Sequence, residues 1–196
     1  MGVFEYIGVL ISVIMGLGVT HLAIGATKLI QHREEVRFYV PHMIWTANIL
    51  IFILLIWWGM FSWSSHDNWY ALEYLFITAY AITSFFLAAM LYPWDMAPDI
   101  DVRAFFSKNR VWFFGSLLVA WGIDTTESLF KANAGLRPIP PGYFGFIGMQ
   151  MLLAIVGIVS RNKIVHVILP ILFFASLVIL VLFSTAAQIN ESALLD

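Results

Sequence analysis

The sequence predicts an all-α fold, a single domain formed by a bundle of six transmembrane helices, and three observations support it. Hydrophobic residues make up 61% of the 196-residue chain and charged residues only 11%, whereas soluble domains carry about 25% charged residues. Six apolar stretches are each long enough to cross about 30 Å of hydrocarbon as a helix. The segments between them are short and polar, which leaves no room for a second domain outside the membrane.

The predicted spans cover residues 3–27, 40–63, 70–92, 108–130, 142–160 and 164–187. The N-terminal segment has neither the basic start nor the small-residue cleavage site of a signal peptide, so we expect the first helix to stay in the protein. This helix carries small residues at every fourth position, namely Gly8, Ser12, Gly16 and Thr20. Such a face predicts close packing of another helix, and the alternative is a lining that leaves space for a substrate or ions.

Isolated polar residues occur inside two of the other spans, and a proline lies inside a third. Asn48 in the second span and Gln150 in the fifth are typical of hydrogen bonds between membrane helices. Pro170 predicts a kink in the sixth span, and a kink alone indicates no function.

The fourth span contains the least expected residues. Its apolar run from Val111 to Ile123 has only 13 residues, which is too short to cross a bilayer. The helix must therefore continue through the acidic segment that follows. Glu127 and Lys131 are then a favourable pair one turn apart, whereas Asp124 has no such partner in its own helix and must face the bundle interior, a water pocket or a basic group elsewhere.

Carboxylates from three helices are expected at the same outer end of the bundle. Glu5 opens the first helix, Glu73 lies one turn into the third, and Asp124 and Glu127 end the fourth. Together with Tyr80, which shares a stripe with Glu73, they would form an acidic entrance that concentrates cations or relays protons. The alternative is four separately solvated acids at the interface.

Three histidines are expected at the opposite, cytoplasmic end. His21 lies within the first span, and His42 and His166 lie at the starts of the second and sixth. If the three imidazoles met, they could bind a metal, a haem or a pigment, or relay protons. The alternative is that His21 donates to a backbone carbonyl and the other two meet water and headgroups at the interface.

Basic residues predict the orientation, because positive charges near span ends bias a loop toward the cytoplasm. Eight of the ten Lys and Arg residues fall in the first, third and fifth connections: Lys28, Arg33, Arg37, Arg103, Lys108, Arg110, Arg161 and Lys163. Only Lys131 and Arg137 fall on the other side. This predicts a multi-pass protein with both termini outside the cytoplasm, and a bacterial inner membrane with periplasmic termini is the simplest location.

Several classes of function are disfavoured. The formal net charge of −2 and the lack of a basic block argue against nucleic acid as a partner. No cysteine is present, so thiolate chemistry is excluded. The third connection contains Asp95, Asp99 and Asp101, and carboxylates of this kind could hold Mg²⁺ for the chemical modification of a lipid. Their spacing matches no motif for such an activity, and a solvated loop is the simpler interpretation.

Three stretches resemble a loose class of bacterial six-span inner-membrane proteins with no assigned activity. These stretches are GLGVTHL at residues 16–22, WWGMFSW at 57–63, and the pattern from LYP to NRVWFF at 91–114. The resemblance implies neither an activity nor a functional residue.

Three hypotheses of function remain open. In the first, the protein conducts or transports H⁺ or another small cation along a polar path from the outer acids to His21. In the second, it is an accessory or scaffold subunit that packs against other membrane subunits or further copies of itself, with a haem or pigment on the histidines as a variant. In the third, it is a lipid-modifying enzyme that uses the aspartates of the third connection, although the absence of a catalytic motif favours a non-enzymatic role.

Overall fold

The computed structural model describes residues 2–36, 39–95 and 100–192, and every regular element in these ranges is helical. Six α-helices and one 3₁₀ turn after α2 follow in order: α1 Val3–Gln31, α2 Val40–Gly59, the 3₁₀ turn Met60–Ser65, α3 Ala71–Ala89, α4 Val102–Asn133, α5 Tyr143–Val159 and α6 Lys163–Ser192. The prediction of an all-α fold is confirmed, and each helix coincides with one of the six predicted segments. The largest difference is at α4, which begins before residue 108 because the Asp101 carboxylate caps its first turn, accepting from the Ala104 N–H at 2.9 Å.

Four of these elements are long and apolar enough to cross a membrane: Val3–Gln31, Val40–Ser65, Ala71–Ala89 and Lys163–Leu182. This character is compatible with a membrane protein. Helix α5 is apolar but shorter. Helix α4 has 32 residues and carries charged side chains toward both ends.

The bundle is held by packing between three main pairs of helices, two of which are not consecutive in sequence. Helix α1 packs mainly against α3, α4 against α5, and α2 against α6. At the centre, the buried indole of Trp45 on α2 lies 5.0 Å from the Phe113 ring and 5.2 Å from the Phe173 ring, measured between ring centroids. One aromatic cluster therefore joins α2, α4 and α6.

The two polar residues predicted to join helices do so. The Asn48 side-chain amide on α2 donates to the Pro170 carbonyl on α6 at 2.8 Å. The Ser176 hydroxyl on α6 lies 3.2 Å from the Gln150 side-chain oxygen on α5, to which it donates. Both amide side chains are fully buried, which fits their role as interhelical contacts.

The small-residue face of α1 requires a correction. Ser12, Gly16 and Thr20 are exposed and Gly8 is partly exposed, and a Cβ added at Gly8 or Gly16 would meet nothing within 4 Å. The Trp57 side chain of α2 reaches Ser12, but no described helix packs closely at Gly8 or Gly16, because α1 turns a different face to α3: Ile7, Ile11, Met15, Gly18, Leu22, Gly25 and Leu29 are its buried residues.

The close approach of α1 to its neighbours depends instead on Gly25. A Cβ at that position would lie 2.3 Å from Cγ of Tyr92. Gly25 therefore lets the aromatic ring lie directly against the α1 backbone.

Candidate functional site

Helix α4 passes without interruption through the acidic segment. It runs from Val102 to Asn133 as one helix, so the acids are part of a helix and not of a surface loop. Arg110 and Lys131 are 21 residues apart, or about 32 Å along the axis. That distance is close to the thickness of a hydrocarbon core. Asp124 and Glu127 lie between these two charged residues along the helix.

Asp124 lies where three helices meet. Its Oδ1 accepts from the Tyr80 hydroxyl on α3 at 2.8 Å, and its Oδ2 accepts from the Tyr143 hydroxyl at the start of α5 at 2.7 Å. Tyr80 is 2% exposed and Tyr143 is 9% exposed. Both carboxylate oxygens are thus held by neutral phenols, and no described Lys, Arg or His lies within the 4.0 Å of an ion pair with Asp124.

Glu127 and Lys131 form the predicted pair one turn farther along α4. The Lys131 ammonium lies 2.7 Å from Oε1 of Glu127, with side-chain exposures of 3% and 9%. The same carboxylate oxygen accepts from the Trp63 indole N–H at 2.8 Å. Lys131 also donates to the Gly59 carbonyl at 2.7 Å, where a positive charge compensates the negative end of α2.

These contacts define one group at the end of the bundle that the sequence predicts to be the outer one, and we call it the outer polar cluster: Trp63, Tyr80, Asp124, Glu127, Lys131 and Tyr143. With both carboxylates ionised it carries two negative charges and one positive charge. The net charge of −1 is surrounded by buried aromatic side chains, where charge is costly. The cluster can lower this cost by taking up one cation, and a proton is the smallest.

The other two predicted acids lie elsewhere at this end of the bundle and have local tasks. Oε2 of Glu73 accepts from the Tyr70 backbone N–H at 2.9 Å and lies 3.2 Å from Nε2 of His66. Oε2 of Glu5 accepts from the Gly2 backbone N–H at 2.9 Å. Both acids therefore cap the first turn of their helices.

The structure does not bring the three histidines to a common point. His42 and His21 lie against successive carbonyls after α3, with Nε2 of His42 2.7 Å from the Leu91 oxygen and Nε2 of His21 3.0 Å from the Tyr92 oxygen. Nε2 of His166 lies 2.9 Å from the Ser160 oxygen. The described ranges contain no group of three side chains suited to hold a metal. The geometry indicates that His21 and His42 fix the turn after α3.

The aspartates of the third connection are likewise not gathered into a site. Asp101 caps α4, Asp95 is exposed, and Asp99 lies outside the described residues. Of the three carboxylates that the lipid-modifying hypothesis needs, only Asp101 has a described contact, and this contact is the helix cap of α4.

Packed side chains separate the outer polar cluster from His21. Along α3, the residues that follow Tyr80 toward the inner end include Ser84, Leu87 and Ala88, all of them fully buried. The Ser84 hydroxyl donates to its own helix at the Ala81 carbonyl, at 2.7 Å. A groove of about 210 Å³ between α1 and α2 does not include Asp124 in its lining.

Sequence reasoning missed two members of the cluster, Tyr143 and Trp63. Trp63 had the signature of an interfacial aromatic residue, and Tyr143 directly follows the turn-forming PIPPG segment. The sequence does place both residues at the right position along the bundle axis, because each lies at a helix end near Asp124. Only the rotation of each helix shows that they point inward.

Comparisons with protein-family models, with curated proteins and with solved structures found no match to this chain. The function must therefore be inferred from the arrangement of its own residues.

Proposed function

We propose that all six helices of this chain cross a membrane, with both termini on the outer side and the bacterial inner membrane as its location. The four long apolar elements support this. Helix α5 has 17 residues, which is at the lower limit for a span, and the charges of α4 lie about one hydrocarbon thickness apart. The excess of Lys and Arg in the first, third and fifth connections favours the cytoplasm for that end.

Within this topology, the protein transports a small cation, in the first place H⁺, that enters at the outer polar cluster. The observation that carries this proposal is Asp124, a partly buried carboxylate between helices whose two oxygens accept from Tyr80 and Tyr143 and which forms no ion pair with a described cation. Ionisable groups at membrane depth are costly and usually have a function. Phenols can both donate to a carboxylate and pass a proton on, so the three residues form a short relay.

The packing between the two ends favours a carrier over an open pore. Ser84, Leu87 and Ala88 are fully buried below Tyr80, which supports a closed path toward His21 in this conformation. A cation bound at Asp124 would then be released inward only after the helices shift. Neutralising Asp124 lowers the cost of burying it, which provides a physical reason for loading to precede that shift.

Proton flux into liposomes tests this function. The protein is reconstituted with a pH-sensitive dye inside, and a pH gradient and a membrane potential are imposed. We expect flux above that of protein-free liposomes, loss of it in Asp124→Asn, and a reduced rate in Tyr143→Phe. Glu5→Gln, which removes a carboxylate at the same end but outside the cluster, is the matched control and should retain the flux.

Two outcomes would contradict the proposal. One is wild-type flux of H⁺, Na⁺ and K⁺ equal to that of empty liposomes. The other is an Asp124→Asn variant that is correctly folded by circular dichroism and transports at the wild-type rate. A rate lost equally in Asp124→Asn and Glu5→Gln would assign the effect to general surface charge and also contradict a site at Asp124.

A second candidate function, an accessory membrane subunit, is favoured by the uncovered face of α1. Ser12 and Gly16 line the groove between α1 and α2, and the Trp57 indole N–H, 3.3 Å away, donates to Ser12 Oγ. Because the chain has no cysteine, a single Thr20→Cys substitution can be crosslinked in native membranes without background from other positions of the chain. Specific crosslinked species would support the subunit role, and crosslinking no stronger than at lipid-facing Val119→Cys would oppose it.

A further inference from the structure

A pocket of about 120 Å³ opens at the basic end of the bundle, opposite the outer polar cluster. It lies between the starts of α2 and α6 and the first turns of α4. Its lining contains four cationic side chains, those of Arg103, Arg110, Arg161 and Lys163. The other polar residues of the lining are Tyr39, Ser107 and His166, and Phe106 is its apolar member. A cavity needs at least about 10–15 Å³ of such volume to hold a single water, so this one, several times larger, has room for a phosphate group.

The cations are not neutralised by neighbouring acids. No described Asp or Glu lines the pocket, and none of the ion pairs between described residues involves Arg103, Arg110, Arg161 or Lys163. Like charges held this close repel one another, and an anion between them would remove that repulsion.

The pocket is shaped by helix geometry. Arg103, Ser107 and Arg110 recur at spacings of four and three residues, which places them on one face of α4. The Arg103 guanidinium lies 5.5 Å from the centroid of the Tyr39 ring, which limits its freedom. Burial raises the pKa of Tyr39 and the nearby Arg103 opposes this, so the phenol keeps its proton and can donate.

Two further features favour an anion. The buried Nε–H of Arg110 has no acceptor among the described residues, although a buried donor normally has one. Helices α2, α4 and α6 all begin at this end, and the free N–H groups of a helix N-terminus attract negative charge.

We propose that this pocket binds a phosphate group between α4 and α6, carried either by the headgroup of an anionic phospholipid or by free phosphate. A phosphate has enough oxygens to accept from Arg103, Arg110 and Lys163 together, and guanidinium groups match its geometry. Basic pockets between membrane helices on the cytoplasmic side are suited to lipid headgroups. The site would join the starts of α2, α4 and α6, none of which is linked to another by an ion pair in the described structure.

Native mass spectrometry of the full chain in neutral detergent tests the proposal. The protein is titrated with phosphatidylglycerol and, separately, with inorganic phosphate. Two double variants remove charges from the pocket, Arg103→Gln with Arg110→Gln, and Arg161→Gln with Lys163→Gln. The control, Lys28→Gln with Arg33→Gln, removes the same charge from the end of α1, outside the pocket lining.

We expect each pocket pair to weaken binding by about tenfold or more, as expected for the loss of charge-assisted hydrogen bonds, and the control pair to leave it nearly unchanged. If phosphatidylglycerol binds and inorganic phosphate does not displace it, the occupant is a lipid headgroup. If inorganic phosphate binds by itself and displaces the lipid, the occupant is free phosphate.

The proposal is overturned if the wild-type protein binds neither ligand, or if the pocket pairs and the control pair weaken binding equally. Should the Arg103 and Arg110 pair fail to fold, as judged by circular dichroism and size-exclusion chromatography, the other pair decides the question. Arg161 and Lys163 are exposed residues at a helix start, and their replacement leaves the core intact.

Discussion

Replacing Lys131 by Met should destabilise the bundle strongly, because it leaves Glu127 charged and buried with only one of its two donors. The Lys131 ammonium lies 2.7 Å from Glu127 and 2.7 Å from the Gly59 carbonyl, and the side chain is 3% exposed. Removing one partner of a buried ion pair costs about 3–5 kcal/mol. Met retains most of the apolar volume of the lysine stem, so the loss reports the charge and its hydrogen bonds.

The free energy of unfolding in detergent micelles, measured by denaturant titration with circular dichroism, provides the assay. The double variant Glu127→Gln with Lys131→Met removes both charges while the Gln side-chain oxygen can still accept from Trp63. We therefore expect the double variant to lose less stability than Lys131→Met alone, which is the signature of direct coupling. Lys108→Met, at an exposed position of the same helix, is the matched control and should change stability by less than about 0.5 kcal/mol.

Two results would refute this reasoning. If Lys131→Met were as stable as the control, Glu127 and Lys131 would not form a buried pair in the folded protein. If the losses of Lys131→Met and of Glu127→Gln, measured separately, simply added in the double variant, the two side chains would act independently.

Two other substitutions test the packing at the inner end, with unfolding in micelles as the measurement for both. Gly25→Ala should cost about 1–3 kcal/mol of unfolding free energy, because its Cβ would lie 2.3 Å from the Tyr92 ring. Gly16→Ala, where nothing lies within 4 Å, is the control and should be neutral. Equal effects of the two substitutions would contradict the contact of α1 with Tyr92. His42→Leu should cost about 1–3 kcal/mol because it leaves the buried Leu91 carbonyl without its 2.7 Å partner, and an unchanged stability would show that the histidine does not fix that turn.

The helices and the continuation of α4 could be predicted from the sequence, because both follow from length and composition. A 13-residue apolar run cannot cross a bilayer, and the only nearby continuation contains Asp124 and Glu127. The partnership of Glu127 with Lys131 also followed from helical spacing alone and is confirmed. Local periodicity thus predicts which residues share a face of one helix.

The sequence places Tyr80 at the acidic end, but its hydrogen bond to Asp124 and the role of Tyr143 could not be predicted, because they depend on how neighbouring helices are rotated. Tyr80 and Tyr143 lie 44 and 19 residues away in sequence, and no spacing rule links them to α4. The same limit explains the small-residue face of α1. Gly8 and Gly16 permit close packing, but the Tyr92 ring packs against the backbone at Gly25.

The position of the acidic part of α4 relative to the bilayer tests the central claim most directly. Thr126 lies on the exposed side of this segment, and the cysteine-free chain allows one spin label there, with Val119 and Ala134 as references. In liposomes, we predict that a label at Thr126→Cys is reached more readily by oxygen than by a water-soluble nickel complex, as at Val119→Cys. A label at Thr126→Cys that the nickel complex reaches as readily as at Ala134→Cys, in the turn after α4, would place the acids in water and contradict a membrane-embedded cation site.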